Sequence, residues 1–196
     1  MPEARRTVPA ILGGLGLVGV AVAALWAGRG SNWGRIHACA HCDLAGQPLA
    51  QGWVEVPPND AWAVELETGL GVVVRGPARF EVAGPKPGEW RLALSRGALF
   101  AQSAGAGKVV VLLPRDPAEK VEGATVSTGP AASRMELDAE VRGNLVHCGA
   151  GSLSLVTSDG ARTLETNGHW ESGCAISAAP SPSSEEQTWL DEMAKR

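Results

Sequence analysis

The alternation of apolar and polar side chains in short runs, each ending at glycine or proline, constrains this fold more than any other feature of the sequence. The clearest run, 134–142, alternates charged residues with Met135, Leu137, Ala139 and Val141. Successive side chains of a strand point to opposite faces, so a period of two gathers the apolar residues on one face. Helical spacing would spread the charges around the whole circumference. We therefore predict an amphipathic strand whose charged side faces solvent.

About ten to twelve short strands are predicted in this way, separated by turn signals at nearly regular intervals. The 25 glycines and 13 prolines of the chain are typical of β-rich domains with many turns. Asp159-Gly160 and Asn167-Gly168 tolerate the positive φ of two-residue hairpin turns. The apolar run 108–114 predicts a strand buried on both faces. Together these patterns favour an all-β sandwich, a jelly roll or a β-solenoid-like stack.

The stretch 69–82, GLGVVVRGPARFEV, predicts two strands that meet at a stiff corner, Gly76-Pro77. Proline fixes its own φ near the value that a turn needs, so we interpret this corner as architectural. Beyond it, Phe80 falls on the buried side, where its burial contributes about 2 kcal/mol. Arg79 and Glu81 fall on the other side and are predicted to form a solvated pair.

The N-terminal residues predict a membrane span. Arg5 and Arg6 precede the uncharged, mostly apolar run 8–28, and about 20 helical residues cover the roughly 30 Å hydrocarbon core of a bilayer. Basic residues stay on the cytoplasmic side. We therefore predict a cytoplasmic stub at 1–7, a single-pass anchor in a bacterial inner membrane, and a periplasmic remainder. A cleaved signal peptide is the alternative, because 21–23 fits a small-x-small cleavage pattern.

Four further segments follow the predicted span. Residues 29–52 are interpreted as a polar connector with two cysteines, and 53–176 as the β domain. Residues 177–184 form a Pro/Ser-rich linker, and 185–196 are predicted to be a short helix.

The C-terminal helix has two possible capping boxes, Ser183 with Glu186 or Ser184 with Gln187. Helical spacing gathers a small apolar patch, made of Trp189, Leu190 and Met193. A helix this short is marginal by itself. It is predicted either to rest on the domain or to serve as a docking peptide for another protein.

The four cysteines, Cys39, Cys42, Cys148 and Cys174, all follow the predicted span, in a compartment that is oxidising. An even number of cysteines there favours two disulfides, for which three connectivities exist. We favour Cys148–Cys174, which would close a loop of about 27 residues and contribute about 3 kcal/mol, together with a local Cys39–Cys42 bridge. Crossed pairings that tie the connector to the domain remain open.

A metal site is the rival interpretation, because histidines flank every cysteine cluster. Cys-x-x-Cys with nearby histidines can supply four tetrahedral zinc ligands, and the histidines concerned are His37, His41, His147 and His169. Haem attachment would need a histidine where the chain has Asp43. A thioredoxin-like redox pair would need a βαβ context, which the strand pattern does not predict.

Catalysis and nucleic-acid binding are not indicated. The sequence contains no Gly-x-Ser-x-Gly elbow and no P-loop, and its carboxylates alternate along predicted strands, so no acid pair is selected. Its 17 Lys+Arg against 21 Asp+Glu form no basic stripe. We expect a protein that is not an enzyme, has no resident cofactor and has no nucleic-acid partner.

Four stretches between residues 54 and 171 follow one another in a characteristic order, at 65–84, 90–102, 123–137 and 141–171. In this order they resemble the FecR-like domain of bacterial envelope proteins. They match on apolar and glycine positions, including a strand that ends in a Gly-Pro-x-x-Phe corner. The resemblance implies a periplasmic β domain on a single-span anchor.

Well-known FecR members relay a signal to an extracytoplasmic-function sigma factor through a cytoplasmic helical segment, and other relatives carry the domain as an interaction module. The stub at 1–7 is too short for such a segment, so a relay would need a separate inner partner. We therefore expect a non-enzymatic interaction or signal-sensing module with an envelope protein partner, in a role related to sigma and anti-sigma signalling. A Cys/His metal-binding or redox envelope protein is the alternative.

Overall fold

Most of the regular structure in the described part of the chain consists of β-strands. The structure, a computed structural model, describes residues 34–67, 70–82, 88–105, 107–116, 118, 120–140, 143–173 and 180–195. Its elements are β1 (Arg35–Cys39), β2 (Trp53–Val56), β3 (Ala61–Glu67), β4 (Leu70–Val82), β5 (Glu89–Ser103), β6 (Lys108–Leu112), β7 (Thr125–Thr128), β8 (Ser133–Glu140), β9 (Gly143–Ala150), β10 (Ser152–Thr157), β11 (Gly160–Glu165), β12 (His169–Gly173) and α1 (Ser184–Ala194). The predicted all-β body and its short C-terminal helix are confirmed.

Two strands, β4 and β5, belong to two different layers of the sheet. Residues 70–75 of β4 pair with 98–103 of β5. The first segment also pairs with β3 and the second with β8, so the strand order of layer I is β1-β3-β4-β5-β8-β9-β12. The other halves of β4 and β5 give layer II: β2-β4-β5-β6-β7-β10-β11. The β5–β6 pairing is parallel, and all the others are antiparallel.

The passage from one layer to the other depends on glycine in both strands. β4 crosses at Gly76, where a Cβ atom would lie 1.8 Å from the carbonyl oxygen of Pro57. β5 crosses at Gly97, which has φ +95° and where a Cβ atom would lie 2.5 Å from the Cβ of Ala78. A side chain fits at neither position, so glycine is required at both crossings. The predicted corner at Gly76-Pro77 is therefore a bend within one continuous strand.

One large apolar core lies between the two layers, because both layers contribute side chains to the same buried cluster. Its fully buried members include Phe80, Leu92, Leu94, Leu99, Met135, Leu137, Leu153 and Leu155. The predicted alternation is confirmed for Phe80 and for the apolar side of β8. Val141 lies outside the described residues.

Two sequence predictions concern the N-terminal part of the chain. The predicted span at 8–28 and the stub at 1–7 lie outside the described residues. Over the described ranges, no helix has the length and apolar character needed to cross a membrane. Within 29–52, which the sequence presents as a connector, β1 adds to the edge of layer I through β3.

Candidate interaction surfaces

The predicted local disulfide lies at the end of β1. Cys39 and Cys42 form a disulfide, and their side chains pack at the margin of the main core. A sulfur in a disulfide is not a thiolate, so this pair supplies no zinc ligand in this form. The bridge closes a tight local loop beside β3.

The histidines beside that disulfide contact different groups. The backbone N–H of His41 donates to Asp60 Oδ1 at 3.0 Å. His37 Nε2 lies 3.1 Å from Glu192 Oε2 on α1. His37 therefore faces the C-terminal helix.

Cys148 lies on the inner face of β9, fully buried in the main core, and forms no disulfide with another of the described residues. Burial raises the pKa of this thiol, and a hydrogen bond with the backbone of Ala150 opposes that effect. The thiol is therefore held in its protonated, unreactive form. Its predicted disulfide partner, Cys174, lies outside the described residues, and the Cys148–Cys174 pairing stays a prediction.

His147 and His169 are adjacent on β9 and β12, and both point to the outer face of layer I. His147 Nδ1 lies 2.8 Å from Glu136 Oε2 on β8. Among the residues that the structure describes, no group of three or more His, Cys, Asp or Glu side chains is arranged to hold a metal ion. Of the four histidines considered as zinc ligands, the structure thus places His147 and His169 next to each other, with Glu136 beside His147.

Glu136 corrects one sequence prediction. The charged side of 134–142 was expected to face solvent, yet Glu136 is 2% exposed. Arg134 Nε lies 3.1 Å from its Oε1, opposite the contact with His147. A buried carboxylate is tolerated when cations and hydrogen bonds surround it, and period-two alternation does not reveal these neighbours.

The outer face of layer I is covered by α1, which packs on β3, β4 and β5. A second apolar cluster joins the fully buried Leu190 and Met193 of α1 to Phe100 and to four smaller residues of the sheet, Ala61, Ala63, Val73 and Ala98. We call these five sheet residues the covered face. The predicted helical apolar patch is thus confirmed as the contact surface of α1.

A charged pair fixes the start of α1 to the sheet. Arg75 Nε donates to Glu186 Oε1 at 2.8 Å, and Arg75 Nη2 contacts Glu186 Oε2. The guanidinium also lies 4.8 Å from the centroid of the Phe100 ring. Burial would raise the pKa of Glu186, but hydrogen bonds from Arg75 and from the Ser183 N–H lower it overall. The carboxylate is therefore held ionised at the helix N-terminus, where negative charge is favourable.

Capping and polar contacts complete the docking of α1. Of the two predicted capping boxes, the structure has Ser183 with Glu186. Gln187 accepts from Arg134 Nη1 at 3.2 Å and donates to Gln102 at 3.3 Å. Gln102 in turn donates to Asp191 at 3.1 Å.

A glycine makes room for the far end of the helix. A Cβ atom at Gly71 on β4 would lie 2.5 Å from the sulfur of Met193. The sheet is thus shaped for this side chain at this place. The sequence does not reveal the fit, since Gly71 looks like an ordinary glycine within a strand.

The outer face of layer II, which we call the open face, differs from the covered face. Three large apolar side chains are exposed among the described residues: Trp53 (45%), Leu112 (41%) and Val156 (46%). The strand register places all three in one line across the layer. This open-face row runs through Trp53, Glu81, Ala93, Leu112, Thr125, Val156 and Ala161.

The open face has two chemically different halves on either side of Leu112. The half on β2, β4 and β5 carries charges of both signs, and there the Arg79 guanidinium lies 5.0 Å from the Trp53 ring. The half on β7, β10 and β11 has mainly hydroxyl and small side chains, Thr125, Ser154, Ala161 and Thr163, with one carboxylate, Glu165, at the end of β11. An aligned set of apolar side chains with a polar rim is the composition expected of a protein-binding surface.

The comparisons with known proteins give one remote structural similarity. No family model and no curated protein matches the chain. It is similar to the crystal structure of a candidate anti-sigma factor from Parabacteroides distasonis, with a TM-score of 0.48 and 14% identity. The similarity covers 61% of this chain and 54% of the other, so the chain spans about half the length of that neighbour. We draw no functional conclusion from a similarity this remote.

Proposed function

We propose that this protein is an exported β-sandwich module, held at the bacterial inner membrane by its N-terminal segment, that binds an envelope protein through the open face. The module acts by binding and performs no catalysis of its own. The observation that carries the proposal is the alignment of Trp53, Leu112 and Val156 in one row. Scattered exposed apolar residues are normal on a protein surface, whereas three in one row across a sheet face can serve as the anchors of an interaction site.

The chemistry of the row supports a protein as the partner. Tryptophan is enriched among the residues that dominate binding energy at protein interfaces. Trp53 is held by Arg79 on the neighbouring strand, which reduces the side-chain freedom lost on binding. Charges of both signs beside it, including the ion pair of Glu55 with Arg96, can orient a partner.

The resemblance to FecR-like domains suggests a role for such a contact. In that role, the open face receives a periplasmic signal as a protein contact, and the anchor keeps the module at the membrane. A link to sigma and anti-sigma signalling would then require a partner that spans the membrane and supplies the inner half.

Site-specific photocrosslinking in intact cells tests the proposal. A photoreactive residue at Leu112 on the open face is expected to give a discrete crosslinked product at the envelope. The matched control carries the same residue at Glu171, an exposed position on β12 of layer I. We expect the Leu112 product to fall at least tenfold when Trp53→Ser is added.

Equal crosslinking from Leu112 and Glu171, or a Leu112 product insensitive to Trp53→Ser, would contradict the use of the open face. Protease protection of the full chain in spheroplasts checks export separately. A chain degraded only after the spheroplasts are lysed would contradict the periplasmic location.

A further inference from the structure

The helix α1 is attached to the sandwich without being part of its main core. No described residue of α1 belongs to the large cluster between the layers. Its two fully buried side chains, Leu190 and Met193, belong to the separate cluster on the outer face of layer I. The helix therefore contacts the sheet as a ligand contacts a preformed surface, in the way an amphipathic helix lies in a groove.

The contact has a recognisable chemical code. The sheet presents the guanidinium of Arg75 to Glu186, and four residues further along α1 Leu190 enters the apolar cluster. Three residues later, Met193 fills the space at Gly71. Positions i, i+4 and i+7 share one side of a helix. The surface thus selects a carboxylate, then a leucine-sized residue, then a methionine-sized residue.

Two further side chains of the sheet contact polar groups of α1. His37 faces the carboxylate of Glu192, and Arg134 faces the amide of Gln187. Arg75 lies beside the apolar centre at Phe100, and two further donors contact α1: His37, and Arg134, which also pairs with Glu136. This arrangement suits a helix of acidic character better than a basic or neutral one.

The resident helix is suited to exchange. An isolated helix of 11 residues is marginal in water, so α1 depends on the sheet for its own stability. The segment before it, 177–183, is rich in proline and serine, a composition typical of linkers. A tethered ligand competes at a high effective concentration and yields to a tighter or locally concentrated rival.

We propose that the covered face is a receptor site for an acidic amphipathic helix of a partner protein, and that α1 is its resident occupant, displaced when the partner binds. The site is independent of the open face. The partner helix carries a carboxylate followed by apolar residues four and seven positions later.

A peptide binding experiment on the full chain tests this. The probe is a fluorescein-labelled peptide of sequence SSEEQTWLDEMAK, which reproduces residues 183–195. The receptor is the full chain with Glu186→Lys and Leu190→Ser, which removes α1 from the covered face. We expect the peptide to bind this variant at least tenfold more tightly than the unchanged chain, where α1 occupies the site.

Charge reversal provides the matched control. A peptide with lysine in place of its first-turn Glu186 equivalent is expected to bind at least tenfold more weakly. Adding Arg75→Glu to the receptor should reverse that preference. Trp53→Ser on the open face should leave peptide binding unchanged, so failure here is distinguishable from failure of the proposed function.

A receptor variant that keeps its near-ultraviolet circular dichroism but binds the peptide no better than the unchanged chain overturns the proposal. Should that variant not fold, hydrogen exchange of the unchanged chain decides. Amides of α1 that exchange at least a hundredfold faster than those of β5 indicate local release of the helix. Equal protection of the two elements shows that α1 leaves only on global unfolding, and rejects exchange.

Discussion

The two outer faces of this sandwich share strands β4 and β5, yet only one of the two faces is covered by a helix. On layer I, the sheet presents alanines, Val73 and Phe100, and α1 covers them. On layer II, the outward positions are mostly polar, and the exposed apolar residues lie in a single row. The difference shows that a sheet face acquires its role from what packs on it and from the register of its strands, as well as from its composition.

The difference also has a sequence counterpart. In β3, both sides are apolar at Ala61, Trp62, Ala63 and Val64, which is typical of a strand buried on two faces. In β2, the outward Trp53 and Glu55 are exposed while Val54 and Val56 are buried. Small outward residues allow a helix to approach closely, whereas isolated large ones do not.

The largest expected effect comes from the centre of the covered face. Phe100→Ala removes a fully buried ring from the contact of α1 with the sheet. We expect the free energy of unfolding to fall by about 3–5 kcal/mol, measured by urea denaturation. Leu112→Ala on the open face is the matched control, and its side chain is already 41% exposed, so its cost should stay below about 1 kcal/mol.

Similar losses for Phe100→Ala and Leu112→Ala would break the comparison between the two faces. They would mean either that α1 contributes nothing to burial of Phe100 or that the open face is buried by another part of the chain.

A smaller effect is expected from acid, on the covered face alone. The pKa of Glu186 is lowered in the folded protein, so its stabilising contribution is complete above the unfolded value, near 4.3. That contribution is lost as the pH falls below this value toward the folded pKa. We expect α1 amides to lose protection against hydrogen exchange in this range, before those of β10.

Glu186→Gln separates this effect from general acid destabilisation. The amide of this variant cannot titrate. The loss of α1 protection between pH 5 and 3, roughly one pH unit on either side of the unfolded pKa, should therefore disappear. Unchanged acid sensitivity of α1 in Glu186→Gln would show that another group governs its release.

The smallest expected effect on stability is on the open face. Trp53→Ala removes a ring that is nearly half exposed and its contact with Arg79. We expect a loss of about 0.5–1 kcal/mol in the free energy of unfolding. The accompanying loss of the Leu112 photocrosslink would sharpen the contrast between a face that stabilises and a face that binds. A loss above about 3 kcal/mol, the range of a core aromatic, would place Trp53 in the structural core instead.

Much of the fold could be read locally from the sequence. The alternation in β2 and β8, the Gly76-Pro77 corner and the capping box at Ser183 are each set by residues within a few positions of one another. The apolar patch of the C-terminal helix was also visible, because Leu190 and Met193 lie three residues apart.

The surfaces could not be read in the same way, because they depend on register between distant strands. Trp53, Leu112 and Val156 are separated by some tens of residues each, and their alignment follows from five strand pairings between them. The burial of Glu136 depends in the same way on Arg134 and His147. The contact surface of α1 likewise cannot be predicted without knowing that Gly71 lies opposite Met193.

The two strands that run through both layers have a mechanical consequence. Because β4 and β5 cross side by side at Gly76 and Gly97, neither layer contains a complete set of strands that could separate from the other. Separating the layers would disrupt β4 and β5, which belong to both. The sandwich is therefore expected to unfold under force as one unit. A force applied at one end of the described chain would then act on both outer faces together.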